Sequence, residues 1–136
     1  MSKNEEKIIQ TYKEIIEKEF IEGKAKGLPP ARMSVAVKTI KDFKKIIQDQ
    51  ALIAEFIFFS VECISSFIYE FSPDDEGYYE EPVFMFEEAL KILKKNKLEQ
   101  EYASRAHDIV KMATDSFGFQ DTLQDAYESI YGEFKE

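Results

Sequence analysis

The sequence predicts an all-α protein of about six helices in antiparallel hairpins, forming an irregular bundle or a short helical-repeat-like stack. Three observations carry this. Apolar residues recur at three- and four-residue spacing along most of the chain, and no segment sustains the apolar/polar alternation and β-branched enrichment of a strand. The helix breakers are gathered rather than scattered: Gly23, Gly27, Pro29 and Pro30 form one group, Pro73, Gly77 and Pro82 another, and Gly118 and Gly132 stand alone near the end. The 136 residues suit a single domain spanning 1–136, and 44% apolar content with 12 Phe and 7 Tyr is enough to fill a core.

Each helix has its own stripe. Ile8, Tyr12, Ile15, Ile16 and Phe20 mark the first. Met33, Val37, Ile40, Phe43 and Ile47 mark the second, which Pro29 and Pro30 are suited to start because proline fits the first helical turn. Leu52, Phe56, Phe59, Cys63, Phe67 and Phe71 mark the third, with Asp49 placed to cap it. The fourth is expected to begin near Pro82 and to carry Val83, Phe86, Leu90 and Leu93, with Asn96 in the left-handed position at its end. Leu98, Tyr102, Ala106, Ile109, Val110 and Ala113 belong to the fifth helix, and Leu123, Ala126, Tyr127, Ile130 and Phe134 to the sixth. Asp121, with Gln124 three residues on, reads as a capping-box start for that last helix. Short links at 48–50 and 95–98 imply antiparallel neighbours. The Phe86-Glu87-Glu88-Ala89-Leu90 segment is similar to the second helix of a tetratricopeptide unit, although no period of about 34 residues is visible.

Charge is segregated along the chain. The formal net charge is −9, which disfavours nucleic acid and anionic lipid over most of the surface. Residues 23–48, however, hold Lys24, Lys26, Arg32, Lys38, Lys41, Lys44 and Lys45 against Asp42 alone, a net of +6 that leaves −15 for the rest. Arg32, Lys38, Lys41 and Lys45 are the candidate face for an anion or an acidic partner. The competing account is internal neutralisation by the loop that carries Asp74, Asp75, Glu76, Glu80 and Glu81.

Few residues are equipped for chemistry. One cysteine, Cys63, and one histidine, His107, cannot make a zinc finger or a disulfide, and a reducing, cytoplasmic location is expected. The charged start of the chain offers no signal-peptide core. Glu55, Glu62 and Glu70 interrupt the apolar stretch 52–71, so a membrane span is not expected. These three carboxylates recur at steps of seven and eight on one side of the third helix, as its wet face or as partners of the basic second helix. A carboxylate metal site or enzyme built from them and the 74–81 loop is the alternative, but a ferritin-like di-iron centre needs two Glu-x-x-His pairs and the loop lacks EF-hand spacing. Cys63 lies on an apolar stripe, and His107 has Asp108 about 100° away around the helix, so no catalytic set, cofactor or metal is expected. No Gly-rich phosphate loop occurs.

Gly23-Lys24-Ala25-Lys26, Ser34-Val35-Ala36, Ile40-Lys41-Asp42-Phe43-Lys44-Lys45, Val61-Glu62-Cys63, Met85-Phe86-Glu87-Glu88-Ala89-Leu90 and Phe117-Gly118-Phe119-Gln120-Asp121-Thr122-Leu123 together resemble a family of uncharacterised bacterial proteins classed as a domain of unknown function. The resemblance implies an all-helical fold matching the C-terminal portion of that family, and it carries no activity. Relatives tend to place a tryptophan and a histidine in the turn where this chain has Phe117 and Gln120, which implies a structural turn here. The function that follows is a non-catalytic binding or protein-interaction module. Its expected partner is a protein, self-association as a homodimer included, with no membrane and with nucleic acid disfavoured.

Overall fold

The computed structural model describes residues 3–22 and 33–135. Gly23, Lys24, Lys26, Gly27, Pro29, Pro30 and Arg32 lie outside the described residues, as does the side chain of Met33. Six α-helices and no strand are present among the described residues. Helix α1 spans Lys3–Glu17 and widens into a π turn at Lys18–Glu22. Next come α2 (Met33–Ile46), α3 (Gln50–Phe71) and α4 (Gly77–Lys95). A 3-10 turn at Glu99–Tyr102 precedes α5 (Ala103–Met112), and another at Ser116–Gly118 precedes α6 (Phe119–Tyr131).

Helix α3 organises the rest. Phe56, Ile57, Phe58, Val61 and Ile64 point all round its cylinder, yet each is fully buried. A helix apolar on every side has to be covered on every side, and α1, α2, α4 and α5 all pack on it. In a repeat stack each unit touches only its neighbours, so the arrangement is a bundle around a central helix. That position accounts for the composition of α3: it is the one described helix long and apolar enough to cross a membrane, and 72% of its most apolar window is buried inside the bundle. Tyr12, Phe43 and Phe56 join α1, α2 and α3 through ring centroids 4.6–5.9 Å apart, each such pair contributing about 0.5–1.5 kcal/mol beyond its buried area.

The caps explain where local reading succeeds and where it slips. Asp49 caps α3, its Oδ1 accepting the N–H groups of Ala51 at 2.9 Å and Leu52 at 3.3 Å. Helix α4 starts at Gly77 rather than near Pro82, because Asp75 Oδ1 accepts the Gly77 N–H at 2.9 Å and the Tyr79 hydroxyl anchors the corner on the Pro73 carbonyl at 2.6 Å. Pro82 therefore sits inside the helix, at the cost of one hydrogen bond to the Tyr78 carbonyl.

Asn96 does not take the left-handed position at the end of α4. Lys97 does, at φ 59°, and lets the Leu98 N–H reach the Leu93 carbonyl at 2.8 Å in a Schellman-type closure. The Asn96 amide instead donates to the Ile92 carbonyl. Nor does Asp121 cap α6. The cap is Gly118 at φ 68°, placing Asp121 in the first turn, and α5 has already ended at Met112. The 95–98 link leads α5 onto α3 and α6 instead of back along α4. Ile15, assigned to the first stripe, is 44% exposed, and Ile9 takes its place in the core.

Candidate functional site

Glu55 and Glu62 lie two turns apart on α3, and Arg105 of α5 bridges them. Arg105 Nε donates to Glu62 Oε2 at 3.0 Å, its Nη1 to Glu55 Oε1 at 2.8 Å, and its Nη2 to Glu55 Oε2 at 3.2 Å and to Glu62 Oε1. The Tyr102 hydroxyl donates to Glu55 Oε1 at 2.8 Å, and Lys13 of α1 pairs with Glu55 Oε2 at 3.0 Å. The guanidinium also lies 5.1 Å from the Phe58 ring centre and 5.0 Å from that of Tyr102, two rings that themselves meet edge-on at 5.1 Å, within cation–π range of both. Burial pushes the Glu55 carboxyl up, but the hydrogen bonds from Arg105, Tyr102 and Lys13 outweigh it and hold the group below its ordinary value. Burial and the Glu55 hydrogen bond push the Tyr102 hydroxyl well above the usual range.

This arrangement is a clasp joining α1, α3 and α5, and it corrects the sequence reading of these carboxylates in one respect. Glu55 and Glu62 are neither a freely wet face nor partners of α2, whereas Glu70, the third of the set, is exposed. Forked hydrogen bonding by a guanidinium fills the carboxylate oxygens that a metal would need. No group of three or more His, Cys, Asp or Glu side chains among the described residues is placed to hold a metal ion.

On the basic second helix, Lys38, Lys41 and Lys45 are all exposed, and Arg32 lies outside the described residues. Lys38 meets Asp42 of its own helix at 3.6 Å, and Lys44 pairs with Glu88 of α4. Lys41 and Lys45 make no ion pair among the described residues. Among the described residues no ion pair joins α2 to the 74–81 loop, and the link from α2 to an acidic residue of another helix goes to Glu88, because α2 packs beside the middle of α4; Lys24, Lys26 and Arg32 lie outside the described residues.

The acidic loop instead contributes to a cleft of about 340 Å³ between the start of α4 and the turn into α6. Tyr79, Val83 and Phe119 form its buried floor, with the Tyr79 and Phe119 rings 5.4 Å apart. Phe84 and Phe117 flank it, 64% and 55% exposed, the most exposed phenylalanines described. Glu76, Glu80 and Glu87 edge the cleft, and none of them makes an ion pair among the described residues. Phe117 holds its place, 5.1 Å from the Tyr79 ring, through a left-handed backbone at φ 53° followed by Gly118 at φ 68°. Sequence reasoning missed this cleft. The signal available was the pair of aromatics astride Gly118, facing an α4 stretch rich in Tyr and Glu.

The remaining reactive side chains are engaged elsewhere. Cys63 is buried on α3. His107 stacks on Phe134 at 4.7 Å and its Nε2 donates to the Lys135 carbonyl, while Nδ1 is 4.0 Å from Asp108, beyond hydrogen-bond range. The histidine thus fastens the C-terminal segment to α5. Gln120 spans the α5–α6 turn, its side chain donating to the Val110 carbonyl at 3.2 Å and its backbone N–H to Thr114 at 3.0 Å. Both bonds brace the α5–α6 turn.

No curated protein and no solved structure matches the chain. The model of one family, described as a family of unknown function (DUF6155), matches residues 1–135. With that coverage, and with the all-helical fold implied by its motifs, the chain belongs to the DUF6155 family.

Proposed function

We propose that this chain is a non-catalytic binding module that docks a protein partner in the cleft between α4 and α6. The observation that carries the reading is Phe117. A left-handed backbone costs a non-glycine residue about 1–2 kcal/mol, and here the strain holds an aromatic ring half in water beside a second exposed ring, Phe84. Strained residues persist where the surroundings enforce them and cluster at binding and catalytic sites. The cleft offers apolar area between the rings and three carboxylates at its edge, so the partner it fits is an amphipathic segment bearing Lys or Arg.

The chain contains no tryptophan, so Phe117→Trp makes a single fluorescent reporter in the cleft. A tryptophan-free synthetic Lys/Leu amphipathic helix is the probe. Saturable blue-shifted emission is expected, weakened at least about tenfold by Glu80→Lys with Glu87→Lys at low salt. An emission spectrum unmoved by the peptide, or binding indifferent to the charge reversal, overturns the reading.

A second reading rests on Lys41 and Lys45, exposed and without ion pairs among the described residues. Together with Lys38 they make α2 a face for an acidic partner or a phosphate group, a reading that binding unaltered by their replacement with Glu would remove.

A further inference from the structure

We infer that the partner taken by the cleft is a second copy of this chain, with α2 of each molecule seated against the cleft of the other. The inference rests on the cleft being a docking site. Its own support is that two complementary surfaces occur on one chain, and that among the described residues Lys41 and Lys45 on the one and Glu76, Glu80 and Glu87 on the other make no ion pair. The outer side of α2 carries exposed Lys38, Lys41 and Lys45, with exposed Val35 and Ile46 along its edge and Asp42, paired with Lys38, between those two. Ile46 is 53% exposed. That side is apolar and cationic; the cleft is apolar and anionic.

The two cannot meet within one molecule. Phe43 and Ile47 are buried in the core and Lys44 is tied to Glu88, so the inner side of α2 is committed to α1, α3 and α4 and its outer side faces away. The cleft opens on another side of α4, between it and α6. Both surfaces nevertheless flank α4, the cleft at Glu80 to Glu87 and α2 at Glu88. A two-fold axis between two such molecules brings each α2 to the other's cleft, giving the same contact twice.

Charge exchange tests this. Sedimentation of the full chain at low salt is expected to show a dimer that shifts toward monomer as salt screens the contact. Lys41→Glu with Lys45→Glu gives a chain acidic on both surfaces, and Glu80→Lys with Glu87→Lys gives one basic on both. Each is expected to be monomeric, and an equimolar mixture to form the heterodimer, in which both contacts regain opposite charges. Every replaced side chain is exposed or partly exposed and outside the core, and unchanged helical circular dichroism checks the fold. A monomeric wild type, a variant that still dimerises alone, or a mixture that stays monomeric overturns the inference. If the wild type is monomeric while the Phe117→Trp chain still binds the cationic peptide, self-association alone falls and the cleft reading stands; if neither assembly nor peptide binding occurs, both fall.

Discussion

Two groups of glutamates sit on neighbouring helices and have opposite fates. Glu55 and Glu62 on α3 share one guanidinium, with Tyr102 and Lys13 completing the shell of Glu55. Glu76, Glu80 and Glu87, before and along α4, border exposed aromatic rings and make no ion pair among the described residues. The first group costs desolvation and recovers it through hydrogen bonds that hold three helices in register. Carboxylates of the second group lie at the edge of the cleft, where the proposed cationic partner would meet them. Residue type is the same in both, and what separates structure from recognition is whether the fold supplies the counter-charge.

Removing the counter-charge should give the largest effect. Arg105→Ala leaves Glu62 without its guanidinium and Glu55 with only Lys13 and Tyr102, both carboxylates partly buried, and strips a cation from beside two rings. A fully buried pair broken on one side loses roughly 3–5 kcal/mol; with Arg105 partly exposed and water able to screen the remainder, about 2 kcal/mol is expected. Urea unfolding of the variant measures it. A loss under about 0.5 kcal/mol, the range of an ordinary surface change, would mean that the clasp is ornamental.

Acid sharpens the same contrast. The folded-state value of Glu55 lies below its ordinary 4.5. Its contribution is therefore fully present above 4.5 and is lost as the pH falls through the lower folded value. Glu55→Gln should flatten the stability curve in that window. In Arg105→Ala the lowering contacts from Arg105 are gone while those from Tyr102 and Lys13 remain, so the Glu55 carboxyl moves up from its folded value and its stabilising share of the pH dependence shrinks. Unfolding midpoints of the wild type and both variants between pH 3 and pH 6 test this, and parallel curves would show that Arg105 does not set the Glu55 charge.

At the cleft the expected effect on stability is smaller and has the opposite sign. Phe117→Asn places a residue that tolerates left-handed backbone where a bulky one is strained. A gain of about 0.5–1 kcal/mol is expected, offset in part by the lost contact with the Tyr79 ring. The same change should abolish peptide binding at the cleft. A variant that is destabilised and still binds would make Phe117 a packing residue.

The sequence reveals features whose causes are local. The Asp49 cap is one; the all-round apolar surface of α3, which requires a central position, is another. Glu55 and Glu62 are visible as a pair at helical spacing, but their partner stands 43 and 50 positions away on a helix whose approach angle depends on the turn at Glu99–Tyr102. Similarly, Lys44 and Glu88 are 44 residues apart, and the nearer-looking acidic loop was the natural guess. The left-handed position falls on Lys97 rather than Asn96, in a closure that brings Leu98 against the core, a tertiary contact that residue preference does not encode. The left-handed Phe117 is hidden for the same reason: nothing in a Phe-Gly-Phe string says which of the three will carry the strain.

The smallest effect is the one that separates the two glutamate groups most cleanly. Glu80→Gln with Glu87→Gln removes two carboxylates that make no ion pair among the described residues, so stability should stay within about 0.5 kcal/mol of wild type. A slight gain at low salt is expected, because Glu76 and Glu80 are like charges four residues apart, a spacing that costs a few tenths of a kcal/mol on a helix. Glu55→Gln with Glu62→Gln makes the same chemical change two helical turns apart on α3 and leaves Arg105 without its carboxylates, so it should be clearly destabilising. Paired urea titrations at low and high salt give the comparison directly. If the two double variants lose stability equally, the α4 carboxylates have a structural partner after all, and their availability to a cationic ligand disappears with it.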